Sequence, residues 1–235
     1  MRTLTPEILD FLAPDDPRAV RSRRDLVLIN AMMRQSAIMA KALARTPAPK
    51  LLADLGGGDG RFMLKVARRL AKRRPKDWPK DGSGVTVMIA DQRAIVSADT
   101  KAQFAQLGWR CESLTGDIFE TLPRINPDIV TANLFLHHFD EAALKQLLAL
   151  VAARAKSFVA CEPRRGGLAL LGARLVFVLG ANDVSRHDAV ASVRAGFAAS
   201  ELSALWPQEQ IKRRTWKLRE KSVFPFTHLF EAHAL

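Results

Sequence analysis

The segment Leu51-Leu52-Ala53-Asp54-Leu55-Gly56-Gly57-Gly58-Asp59-Gly60-Arg61 constrains the fold of this chain more than any other. An apolar run of strand length passes directly into a turn with glycines at 56, 58 and 60, and apolar positions at helical spacing follow over 61–73. Glycine turns a backbone through positive φ and lets a ligand approach with no Cβ in the way. The helix that starts there offers unpaired N–H groups and the positive end of its dipole, which stabilise a polar or anionic ligand end. A dinucleotide fingerprint would need glycine or alanine at 61; Arg61 stands there and the third glycine comes one residue early, which disfavours NAD.

A strand–turn–helix corner needs a larger sheet to bury its apolar faces. Strands are predicted at 51–55, 85–90, 109–114, 128–133 and 157–161, and helices at 61–73, 95–107 and 141–154. Such alternation is the pattern of a mostly parallel sheet covered on both faces, a Rossmann-like α/β fold. Before it, a helix is predicted over 24–45, ended by the prolines of TPAP. After it come two helices, 168–179 and 188–205, and two late strands, 212–219 and 223–230, which bring the expected sheet to seven strands. The expected organisation is a helical segment, 1–48, and one domain, 49–235, with a helical insertion at about 167–206. The stretch RRPKDWPKDGSG reads as a surface excursion, longer than such connections need.

Composition narrows the class further. With 48% hydrophobic and 26% charged residues the chain is ordinary globular material, and 235 residues bury a full core. Cys111 and Cys161 lie in apolar strand-like stretches, with no disulfide framework or zinc spacing. The first twenty residues carry acids and prolines where a secretion signal needs an apolar run, and the longest apolar stretch, 168–181, is interrupted by Arg174. A cytoplasmic protein without a membrane span is expected. The net charge of +12 raises a nucleic-acid partner, since clustered Lys and Arg displace phosphate counterions. Nine basic residues fall within 61–80 against the single acid Asp77. They read as a solvated helix face whose later turns point away from the carboxyl ends of the strands, where open α/β sheets bind ligands.

Polar residues gather at those carboxyl ends: Asp54 on the first strand, Asp91 after the second, Gly116-Asp117-Ile118-Phe119 after the third, and Asn133-Leu134-Phe135-Leu136-His137-His138-Phe139 after the fourth. A carboxylate placed like Asp91 can accept hydrogen bonds from two ribose hydroxyls. The order acid, apolar, Gly-x-Gly-x-Gly, starting at Asp54, resembles the first motif of class I methyltransferases that use S-adenosylmethionine. The resemblance implies that Asp54, Gly56, Gly58 and Gly60 wrap the methionine part of that cofactor. It implies that Asp91 and Gln92 hold the ribose, that Asp117 and Ile118 hold the adenine, and that Asn133 lies beside the sulfonium.

Leu136-His137-His138-Phe139 resembles the small-molecule methyltransferases of ubiquinone biosynthesis and the phenolic or polyketide O-methyltransferases, and the Pro-Pro tetrapeptide of amine-directed enzymes is missing. The implied acceptor is a small phenolic, quinol or polyketide-type molecule with an apolar part, covered by the helical additions as a lid. Leu168, Leu170, Leu171 and 175–179 are candidates to line an apolar pocket, or equally ordinary core. A phenol, with a pKa of about 10, gains from a histidine base, and His137, His138 and His187 are the candidates. His187-Asp188 reads equally as a helix cap, and one of the paired histidines could face the core while the other faces solvent. No metal is expected. Two rivals stand beside this reading: an RNA- or protein-directed methyltransferase using the basic surface, and an accessory protein that binds the cofactor without transferring methyl.

Overall fold

A computed structural model describes residues 2–13, 15–73, 78–79, 84–93, 95–174, 180–207 and 214–235. Most of the excursion after residue 73, the apolar residues 175–179 and the start of the expected strand at 212 lie outside the described residues. Three N-terminal helices, α1 (Ile8–Phe11), α2 (Pro17–Met32) and α3 (Gln35–Leu43), precede the alternating part. That part runs β1 (Leu51–Leu55), α4 (Arg61–Arg73), β2 (Val85–Asp91), α5 (Ala98–Ala105), β3 (Trp109–Thr115), α6 (Ile118–Thr121), β4 (Ile129–Asn133), α7 (Glu141–Arg154) and β5 (Ser157–Pro163). Helices α8 (Gly167–Arg174), α9 (Asp183–Ala195) and α10 (Glu201–Leu205) follow, and β6 (Trp216–Val223) and β7 (Thr227–Ala234) end the chain.

The seven strands form one sheet in the order β3-β2-β1-β4-β5-β7-β6. Strands β1 to β5 are parallel to one another, whereas β7 runs antiparallel to both β5 and β6. The expected mostly parallel sheet is therefore corrected to a mixed one. Only residues 224–226 join β6 to β7, and a connection that short can join only antiparallel neighbours. Every position of β5 is buried, as expected of a strand covered on both faces. One face packs Met39 and Leu43 of α3, Met63 and Leu70 of α4 and Phe104 of α5. The other packs Leu144, Leu147, Leu148 and Val151 of α7 with Leu202 and Trp206. Among the described residues no helix is long and apolar enough to cross a membrane.

Two expected helices are broken. The one expected over 24–45 is α2 followed by α3, separated at Arg34, which takes a left-handed φ of 55°; α2 starts earlier, where Asp16 caps it and Pro17 takes the first helical position. The helix expected over 188–205 is α9 and α10. A Cβ on Gly196 would lie 2.3 Å from the carbonyl oxygen of Pro163. That closeness lets Phe197 pair with the end of β5, donating to Pro163 O and accepting from Arg165 N. Of the residues expected to line an apolar pocket, Leu168 and Leu171 of α8 are instead exposed.

The N-terminal segment is tied down across these additions. Thr3 N donates to Arg194 O, and the Asp188 carboxylate accepts from Ile8 N and Leu9 N at 2.8 and 3.0 Å. Arg2 donates to the carbonyls of Ala195, His137 and Phe139 while its guanidinium lies 4.3 Å from the Phe197 ring centroid. Asp188 thus anchors another segment from inside α9, whose own cap is Asn182. The reading of His187-Asp188 as a cap is corrected.

Candidate active site

A cavity of about 960 Å³ opens at the carboxyl ends of β1 and β4. The glycine loop forms one wall. Gly56, Gly58 and Gly60 take φ of 63°, 56° and 75°, a region costly for other residues. The reasons differ along the loop. A Cβ on Gly56 would lie 2.2 Å from the Phe135 ring, while one on Gly58, which lines the cavity, would meet nothing within 4 Å. Asp54 lies behind the loop, 1% exposed, its Oδ1 accepting from the Thr131 hydroxyl at 2.6 Å. Burial pushes its pKa up to about 7, opposed by that hydrogen bond and aided by the charge of Asp91. Asn133, at the end of β4, also lines the cavity. Its Oδ1 is buried with no hydrogen-bond partner, an arrangement that native structures rarely leave without a ligand or water.

Asp91, Gln92, Asp117, Ile118 and Gly60 are not among the residues that line this cavity. Asp91 braces the loop, accepting from Gly58 N at 3.0 Å through Oδ2 and from Arg93 N at 3.1 Å through Oδ1. Gln92 follows it in the bend after β2. Asp117 caps α6, accepting from Phe119 N at 2.7 Å, and Ile118 packs against the core.

The three histidines separate. His137 is 3% exposed, with Nδ1 2.7 Å from Glu162 Oε2 and Nε2 3.5 Å from Glu7 Oε1. Burial alone would lower its pKa, but hydrogen bonds and charge from Glu162 and Glu7 outweigh it and raise the value to about 9. Both ring nitrogens of His137 thus face carboxylates, which favours the protonated ring and leaves neither nitrogen turned to a ligand as a base. Glu162, fully buried at the end of β5, also accepts from Phe135 N and Leu136 N at 3.0 and 2.9 Å, so it holds the whole turn after β4. His138 is exposed, lines the cavity, and has its ring 4.3 Å from that of His137. His187 lies on α9 outside the lining, with Nδ1 3.0 Å from Asp188 Oδ1; the structure does not bring it to the other two. Glu7, His137 and His138 place three potential ligand atoms within 4.8 Å of one another, although both nitrogens of His137 already face carboxylates.

Two residues of this cluster received no role in the sequence reading. Glu162 ends a parallel strand, the same signal that singled out Asp54 and Asp91. Glu7 has no local signal, because only the N-terminal fold-back brings it to His137. Ser192 of α9, which donates to Glu7, completes that wall.

The remaining wall is basic. Arg61, Lys65 and Arg69 form one row along α4 and line the cavity together with Arg24 of α2. The expectation that this helix turns its charge away from the crevice is corrected for that row. Arg68, on another face, donates to Gln103 as a surface residue. The difference arises because α3 packs against α4 and the cavity continues along that helix, with Ala31 of α2 and Ser36 of α3 in the lining.

The chain matches no protein-family model and no curated protein. Among solved structures it is similar to a putative O-methyltransferase from Nostoc punctiforme, at 16% identity and a TM-score of 0.59, covering 99% of this chain and 64% of that one. It is similar to the mitomycin 7-O-methyltransferase, at 18% identity and a TM-score of 0.61, covering 97% of this chain and 60% of that one. The plantazolicin methyltransferase, solved with S-adenosylhomocysteine, matches at 12% identity and a TM-score of 0.60, covering 93% of this chain and 91% of that one. The chain thus spans under two thirds of the two O-methyltransferases and most of the third enzyme. At these identities the likeness establishes the fold, that of the class I methyltransferases.

Proposed function

We propose that this chain is an S-adenosylmethionine-dependent methyltransferase that methylates a hydroxyl of a small phenolic, quinol or polyketide-type acceptor. One observation carries the reading. The positive-φ glycine loop, a buried acid and an orphaned amide oxygen all border one cavity, which a cluster of histidine and acid closes on the far side. Its volume stands near the top of the range of about 300–1,000 Å³ for ligand pockets, room for a nucleoside-sized cofactor and a second small molecule.

The residues fit the cofactor. Asp54 titrates near 7 because its charge is buried, and a cationic ammonium group beside it would favour the carboxylate. Asp54 with Gly56, Gly58 and Gly60 would hold the methionine part, Asp91 and Gln92 the ribose, and Asp117 and Ile118 the adenine. Asn133 would donate to or accept from the ligand at the end of β4. When bound, the cofactor supplies an activated methyl on a sulfonium. This chain's own task is to align the acceptor with it and to exclude water.

His138 is the histidine assigned to accept the acceptor's proton, as it faces the cavity from an exposed position. His137 keeps its proton and acts as a fixed positive charge that positions Glu7. The segment 1–48 and the insertion at about 167–206 act as the lid: Glu7, Arg24, Ala31 and Ser36 from the first and Ser192 from the second all line the cavity.

Formation of S-adenosylhomocysteine from S-adenosylmethionine, measured with a panel of phenols and with total RNA, tests the proposal. Turnover stimulated by a phenol is expected. Turnover stimulated by RNA alone would replace this reading with the RNA-directed one, and cofactor binding without turnover on any acceptor would favour the accessory reading.

A further inference from the structure

We infer that the acceptor carries a carboxylate or phosphate group, and that Arg24 of α2 and Lys65 and Arg69 of α4 hold it. The inference rests on the methyl-transfer reading of the same cavity and names the substrate class within it.

The charges of the lining show why these three stand apart. Of the acids, Asp54 is buried in the wall, Asp59 lies 3.4 Å from Arg61, and Glu7 is engaged by His137 and Ser192. Among the described residues no carboxylate comes within ion-pair distance of Arg24, Lys65 or Arg69. Arg69 donates from Nε to Ser36 Oγ at 3.1 Å, which orients the guanidinium and leaves its terminal N–H groups to other acceptors. Three like charges converging on one cavity repel one another, and an anion placed among them removes that repulsion. An arginine fork matches both carboxylate and phosphate, and a lysine adds a compact point charge.

Distance separates this row from the cofactor's own carboxylate. Arg61 is the first residue of α4, directly after the glycine loop. At 1.5 Å per residue, Lys65 lies about 6 Å and Arg69 about 12 Å farther along the helix axis. A group held at the loop reaches Arg61 and not Arg69. The cavity continues past the loop to α2 and α3, so a second molecule is needed to meet the row. Phe62 and Leu134, also in the lining, give the cavity apolar surface. The acceptor would then have its charged end at the row and its reacting hydroxyl toward Glu7 and His138.

The test is a calorimetric titration of the full chain, with and without saturating S-adenosylhomocysteine, at low salt. The probes are 4-hydroxybenzoate and phenyl phosphate, each against its uncharged counterpart, methyl 4-hydroxybenzoate and phenol. At least one anion is expected to bind at least tenfold more tightly than its neutral partner, with a preference that shrinks at 0.5 M salt. The relative strength of the two anions distinguishes carboxylate from phosphate. In the triple variant Arg24→Gln, Lys65→Gln, Arg69→Gln that preference is expected to vanish, while affinity for S-adenosylhomocysteine stays within about threefold. Lys65→Glu alone, an exposed change on a helix, is expected to weaken the anion more than the neutral probe and covers the case of a triple variant that does not fold. Equal binding of charged and neutral probes, or binding of neither anion, overturns the inference. So does a triple variant that loses S-adenosylhomocysteine and anion affinity together, because the row would then serve the cofactor. Failure of the wild-type chain to bind S-adenosylhomocysteine counts against the methyl-transfer reading instead, and the cofactor-free titrations still decide the anion preference.

Discussion

Two buried groups with raised pKa values stand out at the scale of single residues, an acid that bears on ligand affinity and a histidine that bears on stability. Asp54 has its pKa raised to about 7 by burial. Bound as a carboxylate to a cationic ligand group, it should make affinity for S-adenosylhomocysteine nearly flat above pH 7 and lower by about tenfold per pH unit below it. Calorimetry from pH 5 to 8 should show this for the wild type and a weak, pH-independent binding for Asp54→Asn. An unchanged profile in Asp54→Asn would remove the acid from the cofactor site. His137 has its pKa raised from 6.5 to about 9. A raised folded-state value stabilises fully below the unfolded value and is lost on passing the folded one. The difference in unfolding free energy between wild type and His137→Asn should therefore be largest at and below pH 6.5 and shrink toward pH 9. Glu162 and Glu7, whose values are lowered, restore the opposite slope at acid pH. Denaturant melts across pH 5–9 check it, and a difference that grows with pH would contradict a charged His137.

Sequence legibility differs from element to element. Strands β1 to β5 and helices α4 and α7 were legible because apolar periodicity and strong start and stop residues agree there; Asp140, for example, caps α7 through Ala143 N. The breaks at Arg34 and Gly196 were not. Arg34 carries no turn signal of its own, and Gly196, a glycine where helices commonly stop, gains its necessity from the Pro163 carbonyl against it, a contact between residues far apart in sequence. The N-terminal fold-back is hidden for the same reason, since Arg2, Glu7, Ile8 and Leu9 find their partners in α9 and after β4. Replacing Asp188 by Ala leaves Ile8 N and Leu9 N without their acceptor, and each such hydrogen bond to a charged group contributes about 1.5–3 kcal/mol. Limited proteolysis before residue 13 should accelerate severalfold in Asp188→Ala, turnover should fall, and affinity for S-adenosylhomocysteine should change little. Wild-type proteolysis and turnover in that variant would show that the segment does not cover the site.

Across the whole molecule, sequence periodicity fixes which residues share a helix face but not what that face meets. The basic charge on α4 is a single pattern in the sequence. In the structure it divides into a row that lines the cavity and a remainder that faces solvent, because α3 packs against one side of α4. The expected cofactor residues follow from local rules, since they gather at the carboxyl ends of parallel strands, and of them Asp54, Gly56, Gly58 and Asn133 line the cavity. The far wall, where Glu7 and Ser192 meet His137 with Glu162 buried behind it, depends on how separate elements assemble. All of these assignments stand on the glycine loop as the floor of a cofactor pocket. The most direct test is calorimetric titration of S-adenosylhomocysteine into the wild type and Gly58→Val. Gly58 lines the cavity and a Cβ there meets no protein atom within 4 Å, while its positive φ adds strain at the loop. Saturable binding by the wild type is expected, with a loss of at least a hundredfold in a folded Gly58→Val. Equal affinity in the two proteins, or none in the wild type, would contradict the account.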